Sequence, residues 1–279
     1  MSKLLKIGLL SALVFFTLGL GLLIAAVALG ATWSAFTESV NVGKFSPIAM
    51  LHNETQQTDG ETMYYPEDDV YSLDIEFGKG TLELKETDED QIMVEILSDP
   101  SHAVTSELVG KTLKISTQNN ALRKETNLRI YIPEDNYFEK ASLKLGAAVV
   151  TVDMLEADNL EVELGAGTFN GGEILSDKSV WEVGVGELNL DYLDCEDVDI
   201  DCGMGCVAVA LADSQEDYKC DITCNMGDVA VGDNHFSMGH HTIKGEDADG
   251  KINVDCGMGT VDLTFDDDSE TTYLNIIDE

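Results

Sequence analysis

Three residue types in this chain have spacing that could do chemistry: carboxylates at alternate positions, cysteines at one recurring offset, and a knot of histidines. The carboxylates are Asp74 and Glu76, Glu161 and Glu163, Asp199 and Asp201, with Glu182, Asp221 and Asp255 at matching offsets from a following glycine or, for Asp221, from Asn225. Rows of carboxylates suit hard divalent cations, so weak calcium or magnesium association is the metal chemistry they point to. The D-x-D-x-D-G calcium loop is absent, and DADGK at Asp247–Lys251 is too short a fragment of it. Cys202, Cys224 and Cys256 each stand immediately before a corner position. That offset is an inward one, and a buried cysteine behaves as a small hydrophobe, so the three read as a core rung. If consecutive coils stack, Cys202 and Cys224 lie about 4.8 Å apart at Cα, within disulfide range. Cys195 and Cys206 fall in or beside turns and read as the more exposed pair, with Cys220 inward. The spacings lack the C-x₂-C knuckle of zinc and iron–sulfur sites. His235, His240 and His241 gather within Gly232–Gly250. They are candidate transition-metal ligands, against the plainer reading of a solvated loop.

Enzyme signatures are scarce. The chain has no GxSxG, HExxH, Walker A or kinase set. Its glycine pairs are followed by strand-like alternation, whereas a dinucleotide fingerprint requires a helix there. Paired carboxylates leave a polysaccharide-active enzyme as an alternative, resting on fold analogy alone.

The elements that must position these residues repeat. Strand-like alternation meets a glycine-rich step at Gly78 and Gly80, Gly165 and Gly167, Gly184 and Gly186, Gly203 and Gly205, Asn225 and Gly227, and Gly257 and Gly259. Aligned on the first of each pair, with Gly146 included, the steps from Gly146 onward are 19, 19, 19, 22 and 32 residues. Apolar residues fall one, three and five places before the step, as in Leu160, Val162 and Leu164. They recur four and six places after it, as in Leu188 and Leu190. A period of two is strand periodicity and excludes an amphipathic helix. Glycine suits the corner because it reaches positive φ cheaply and tolerates close backbone approach. A sandwich of hairpins would also alternate, but stacked coils account for the constant offset. The pattern therefore predicts an all-β, single-stranded parallel β-helix with 19–22-residue coils. Strand runs at Tyr71–Leu84, Gln91–Leu97, Leu113–Thr117 and Asn127–Ile132 predict a less regular lead-in, and Thr271–Ile277 a closing strand.

Ile7 to Trp33 carry no charge and follow Lys3 and Lys6. The run is long enough for a membrane helix and longer than the apolar part of a cleaved signal, the alternative that the small-residue run Ala28–Gly30 leaves open. It predicts a cytoplasmic tail (1–6), a transmembrane helix (7–33), a tether (34–67), an N-terminal β section (68–140) and β-helix repeats (141–279). The lipid bilayer is then one partner, and the location a cell membrane crossed once with the C-terminal domain extracellular. All 53 acidic residues lie beyond residue 36, and the net charge of −37 argues against nucleic acid as a partner. The 44% apolar fraction and the sustained alternation argue against disorder.

The ordered set of V/L-x-I-x-x-G-x-G-x-L-x-V units, the strand IYIPED at Ile130–Asp135 and the DCGMG coils at Asp201 and Asp255 resembles the DUF4097 family. Its members are adhesin-like proteins of Gram-positive and Bacteroidetes envelopes, and the resemblance covers roughly residues 68–279. It implies a right-handed parallel β-helix, an envelope location and no catalytic motif. The cysteine-rich later coils and the 32-residue step before Gly257 depart from the pattern. Together these readings predict a non-catalytic, membrane-tethered envelope solenoid that presents an acidic surface to a protein, wall component or cation. The alternatives are the polysaccharide-active enzyme and an accessory of an envelope-stress system.

Overall fold

The computed structural model describes residues 61–100, 102–117, 125–245 and 248–266, and the backbone of 275–278. Alternation becomes strand almost throughout: β1 (Thr62–Pro66), β2 (Ser72–Thr87), β3 (Gln91–Ser98), β4 (Val104–Val109), β5 (Thr112–Thr117), β6 (Thr126–Pro133) and β7 (Phe138–Cys202) come first. β8 (Cys206–Leu211), β9 (Tyr218–Cys224), β10 (Asp228–Val231), β11 (Asn234–Phe236), β12 (Gly239–Lys244), β13 (Gly250–Cys256), β14 (Thr260–Phe265) and β15 (Asn275–Asp278) follow. The helical elements described are two 3₁₀ turns, Glu67–Asp69 and Gln215–Asp217.

The expected membrane helix has to be corrected. Among the described residues no helix is long and apolar enough to cross a membrane. A three-residue 3₁₀ turn rises about 6 Å, against roughly 30 Å of hydrocarbon. Residues 7–33, on which that expectation falls, lie outside the described residues, as do 1–6 and 34–60. The bilayer as partner, the single-pass topology and the membrane location lose their support with the helix.

β7 winds through successive coils as one continuous strand from Phe138 to Cys202. The carbonyl oxygen of Gly146 stands over Gly165, that of Gly165 over Gly184, and that of Gly184 over Gly203, so coils one repeat apart lie directly on each other. β2 pairs in parallel with the start of β7, from Ser72 opposite Lys140 to Leu84 opposite Val152. Inward rows run along the stack: Leu145, Leu164, Val183 and Cys202 before the corner, and Val150, Phe169, Leu188 and Val207 after it, are all buried. Bulk is matched across rows. Phe169 meets the edge of Trp181 (centroids 5.6 Å apart), and Gly171 leaves room where a Cβ would strike Leu190 and Phe169.

Sequence order fails at both ends. β13 pairs in parallel with the end of β7 on one side, Val254 opposite Ile200, and with β9 on the other, Val254 opposite Ile222. β14 likewise lies between β8 and β10. The last coil in sequence is thus inserted inside the Asn225 coil. The chain reaches that slot after β11 has returned antiparallel on β10 and β12 antiparallel on β9. β15 then pairs antiparallel with β12. At the other end, β5 and β6 both run parallel to β2 and form a coil outside it. β4 pairs antiparallel with β5, β3 with β6, and β1 with β3. β1 falls in the stretch expected as tether. Its five residues are too few to show a period, yet they pair fully with β3, and the Tyr65 hydroxyl donates to Ser106 Oγ (2.8 Å).

Candidate functional site

The strands before the corners form one outward face with two carboxylate rows, and the structure treats them differently. Four places before the corner, Asp74, Glu161, Asp199 and Asp221 each have a lysine: Lys114 (3.3 Å), Lys140 (2.8 Å), Lys178 (3.8 Å) and Lys219 (2.7 Å). Asn253 also donates to Asp199, and Thr242 Oγ1 to Asp221 (2.9 Å). Partial burial works against ionisation of Asp221, but Lys219 and Thr242 hold its carboxyl below the usual range. The row two places before the corner runs Glu76, Lys144, Glu163, Glu182, Asp201, Asp255, Thr223 and His240 in spatial order. Glu163, Glu182, Asp201 and Asp255 are consecutive and exposed, and none has an ion pair among the described residues. Like charges at about 4.8 Å repel. A shallow groove of about 310 Å³ runs beside them, past Asp199, Asp221 and His240. The sequence shows the carboxylates. The split into a neutralised and a bare row rests on Lys140, Lys178 and Lys219, six places before a corner, and on Lys114, which lies directly opposite Asp74; alternation alone does not pick these lysines out.

Cys202, Cys224 and Cys256 are buried, and Cys256 lies opposite Cys202 and opposite Cys224, between them. The Cys202 thiol donates to the Gly205 carbonyl (3.4 Å) and the Cys256 thiol to that of Gly259 (3.3 Å). Each sulfur fills the space under the next coil's second corner residue, since a Cβ on Gly259 would meet Cys202 Sγ and one on Gly227 would meet Cys256 Sγ. Burial, then the neighbouring thiols, push Cys256 up to about 12, and burial raises Cys202 as well. Cys195 is buried rather than turn-exposed. Its thiol reaches Ser179 Oγ (3.4 Å), and burial pushes it up to about 11. Cys220 is inward, raised by burial to about 12, and Cys206 is exposed. All six cysteines are free thiols.

The histidines are not gathered. The expected loop at Gly232–Gly250 contains β11 and β12. His240 and His241 are successive strand residues and so point to opposite faces. His240 Nδ1 lies 3.3 Å from Thr223 Oγ1 on the acidic face, while the His241 ring packs on Phe236 (4.8 Å). His235, opposite Ala230, belongs to the other sheet face. Among the described residues no three His, Cys, Asp or Glu side chains converge to hold a metal ion. The corner glycines also divide. Gly80 and Gly167 take positive φ (132° and 129°) and also have a neighbouring carbonyl at the Cβ position, whereas Gly184, Gly186, Gly203, Gly205, Gly257 and Gly259 are needed only because a carbonyl of the adjacent coil crowds the Cβ position. Gly78 and Gly165 supply the carbonyls that crowd Gly146 and Gly184.

The family profile described as Toastrack DUF4097 matches residues 70–273. The chain belongs to the DUF4097 family. Its matched region runs from just before β2 to beyond β14, so both displaced end coils are part of the Toastrack domain. The domain is similar to a candidate adhesin from Bacteroides fragilis (13% identity, 74% of this chain and 98% of that one, TM-score 0.40). It is also similar to a candidate cell adhesion protein from Clostridium sporogenes (12%, 74% and 100%, 0.33), and to a candidate lipid binding protein from Parabacteroides distasonis (13%, 74% and 98%, 0.34). No curated protein matches the chain significantly. DUF4097 membership is consistent with a protein that is not an enzyme.

Proposed function

We propose that this DUF4097 chain is a non-catalytic binding scaffold whose bare carboxylate row engages a basic protein segment. The observation that carries the reading is the contrast between the rows: lysines neutralise the outer one, while Glu163, Glu182, Asp201 and Asp255 stay uncompensated on consecutive coils. Aligned like charges have a repulsive cost, and a cationic partner relieves it while gaining affinity and faster association. A lysine-rich segment in extended conformation places every second side chain on one side about 6.8 Å apart, close enough for its flexible ammonium groups to reach alternate coils. The two grooves that hold Glu182 are lined without Phe, Tyr or Trp, so no aromatic stacking platform of the kind a sugar-cleaving site would use accompanies them.

The test is binding of a fluorescent oligolysine peptide, measured by anisotropy against salt. Neutralising the row (Glu163→Gln, Glu182→Gln, Asp201→Asn, Asp255→Asn) is expected to weaken binding by about tenfold or more. Neutralising Asp68, Asp88, Glu89 and Asp90, exposed elsewhere, is expected to weaken it far less. Equal losses from the two variants would mean that net charge, not the row, does the binding.

A further inference from the structure

Three methionines occupy one place in the fold. Met204, Met258 and Met226 each lie at the middle of a corner, between the two flanking small residues, and are 55%, 55% and 69% exposed. The backbone sets their order. The Met258 amide donates to the Gly203 carbonyl and the Met226 amide to the Gly257 carbonyl, both at 2.8 Å. The side chains therefore leave consecutive coils in the order Met204, Met258, Met226. Met238 (73% exposed) immediately precedes Gly239, which lies opposite Cys224.

Packing does not call for methionine there. Earlier coils carry Lys79, Ala147, Ala166 and Val185 at the same place, so the corner accepts a charged, tiny or branched side chain equally. Long apolar side chains in water are unfavourable, and a row of them has significance beyond single exposed residues. What these residues share, and the earlier ones lack, is a sulfur atom. A thioether is a soft, neutral donor, and soft sulfur ligands select copper(I) over hard or borderline ions.

The geometry suits such an ion. Neighbouring rungs are about 4.8 Å apart, and two metal–sulfur bonds of about 2.3 Å end to end span nearly that distance. One ion can then sit between adjacent sulfurs without backbone movement, and the third methionine can complete the set through its flexible side chain. The surroundings are electronegative. Asp201 and Asp255 of the bare row stand three residues before Met204 and Met258, and the exposed Cys206 thiol follows Met204 by two residues. We propose that the Met204–Met258–Met226 edge is a binding site for a soft monovalent d¹⁰ cation of the copper(I) class.

The experiment is calorimetric titration of the full-length chain with silver(I), the redox-stable analogue, and copper(I) titration against a chromophoric chelator. Both are run in a Cys206→Ser background so that the exposed thiol contributes nothing. Saturable binding is expected, weakened at least about tenfold by Met204→Leu, Met226→Leu and Met258→Leu together. Leucine keeps length and apolarity and removes only the sulfur. In the methyl-labelled parent, silver(I) is expected to shift the methyl resonances of these three methionines first. Affinity unchanged in the leucine variant, displacement by equimolar zinc(II), or binding confined to chains that retain Cys206 would each overturn the assignment.

Discussion

Gly167 sits at φ 129° with the Ala148 carbonyl oxygen where a Cβ would be, while Gly110, at φ 66° in the β4–β5 turn, has no atom within 4 Å of its Cβ position. Both have positive φ, yet only the first is also crowded, so the pair separates conformational from steric cost. Gly110→Ala is expected to lower unfolding stability by about 1 kcal/mol, the usual penalty for a left-handed alanine. Gly167→Ala is expected to lower it by more than about 3 kcal/mol, because the coil beneath must also move. Denaturant midpoints of the two variants check this, and equal losses would show that the corner has slack. The glycine pairs themselves were plain in the sequence. Their division of labour was not, since positive φ and close approach both select glycine and leave the same letter.

At the scale of elements, the place of β13–β14 inside the β9–β10 coil has a chemical signature in the cysteines. Neighbouring rungs put Cα atoms about 4.8 Å apart and second neighbours about 9.6 Å, and a disulfide accepts the first and not the second. Oxidative refolding in a glutathione buffer is therefore expected to link Cys256 to Cys202 or to Cys224. A Cys202–Cys224 link as the main product, found by peptide mapping, would mean that coils stack in sequence order. The sequence exposed the break between Asn225 and Gly257 without revealing its topology. The inward rows explain why: Val198 and Ile200, Cys220 and Ile222, and Ile252 and Val254 are near-equivalents in size. Any of these coils fits on any other, and the choice is made by the antiparallel β11 and β12, whose few residues show little period.

For the whole molecule, charge dominates. Eight ion pairs occur among the described residues, in a chain with 53 acidic and 16 basic residues. Self-repulsion of that size destabilises a compact state, and screening shortens its range from about 30 Å at 0.01 M salt to about 8 Å at 0.15 M. The melting temperature is accordingly expected to rise with sodium chloride, and to rise less in the variant with the four row carboxylates neutralised. A fall with salt would mean that the ion pairs outweigh the repulsion. The all-β character and the outward carboxylates could be read from alternation alone. The unequal neutralisation of the two rows could not, because it depends on which lysine reaches across to which coil.

The slot occupied by β13 also dictates an order of events during synthesis. β9 and β10 emerge from the ribosome before β13 and β14 exist, and their final parallel neighbour is the strand still to be made. Until residue 256 has been translated, the edge at Ile200 and the edge at Ile222 can only wait for each other or pair wrongly. Growth by adding one coil after another, natural for a solenoid, holds along β7 and stops there. The C-terminal third closes by wedging β13 and β14 into a gap, so residues 250–265 must be made before the edges of β7, β8, β9 and β10 on either side are safe from other chains.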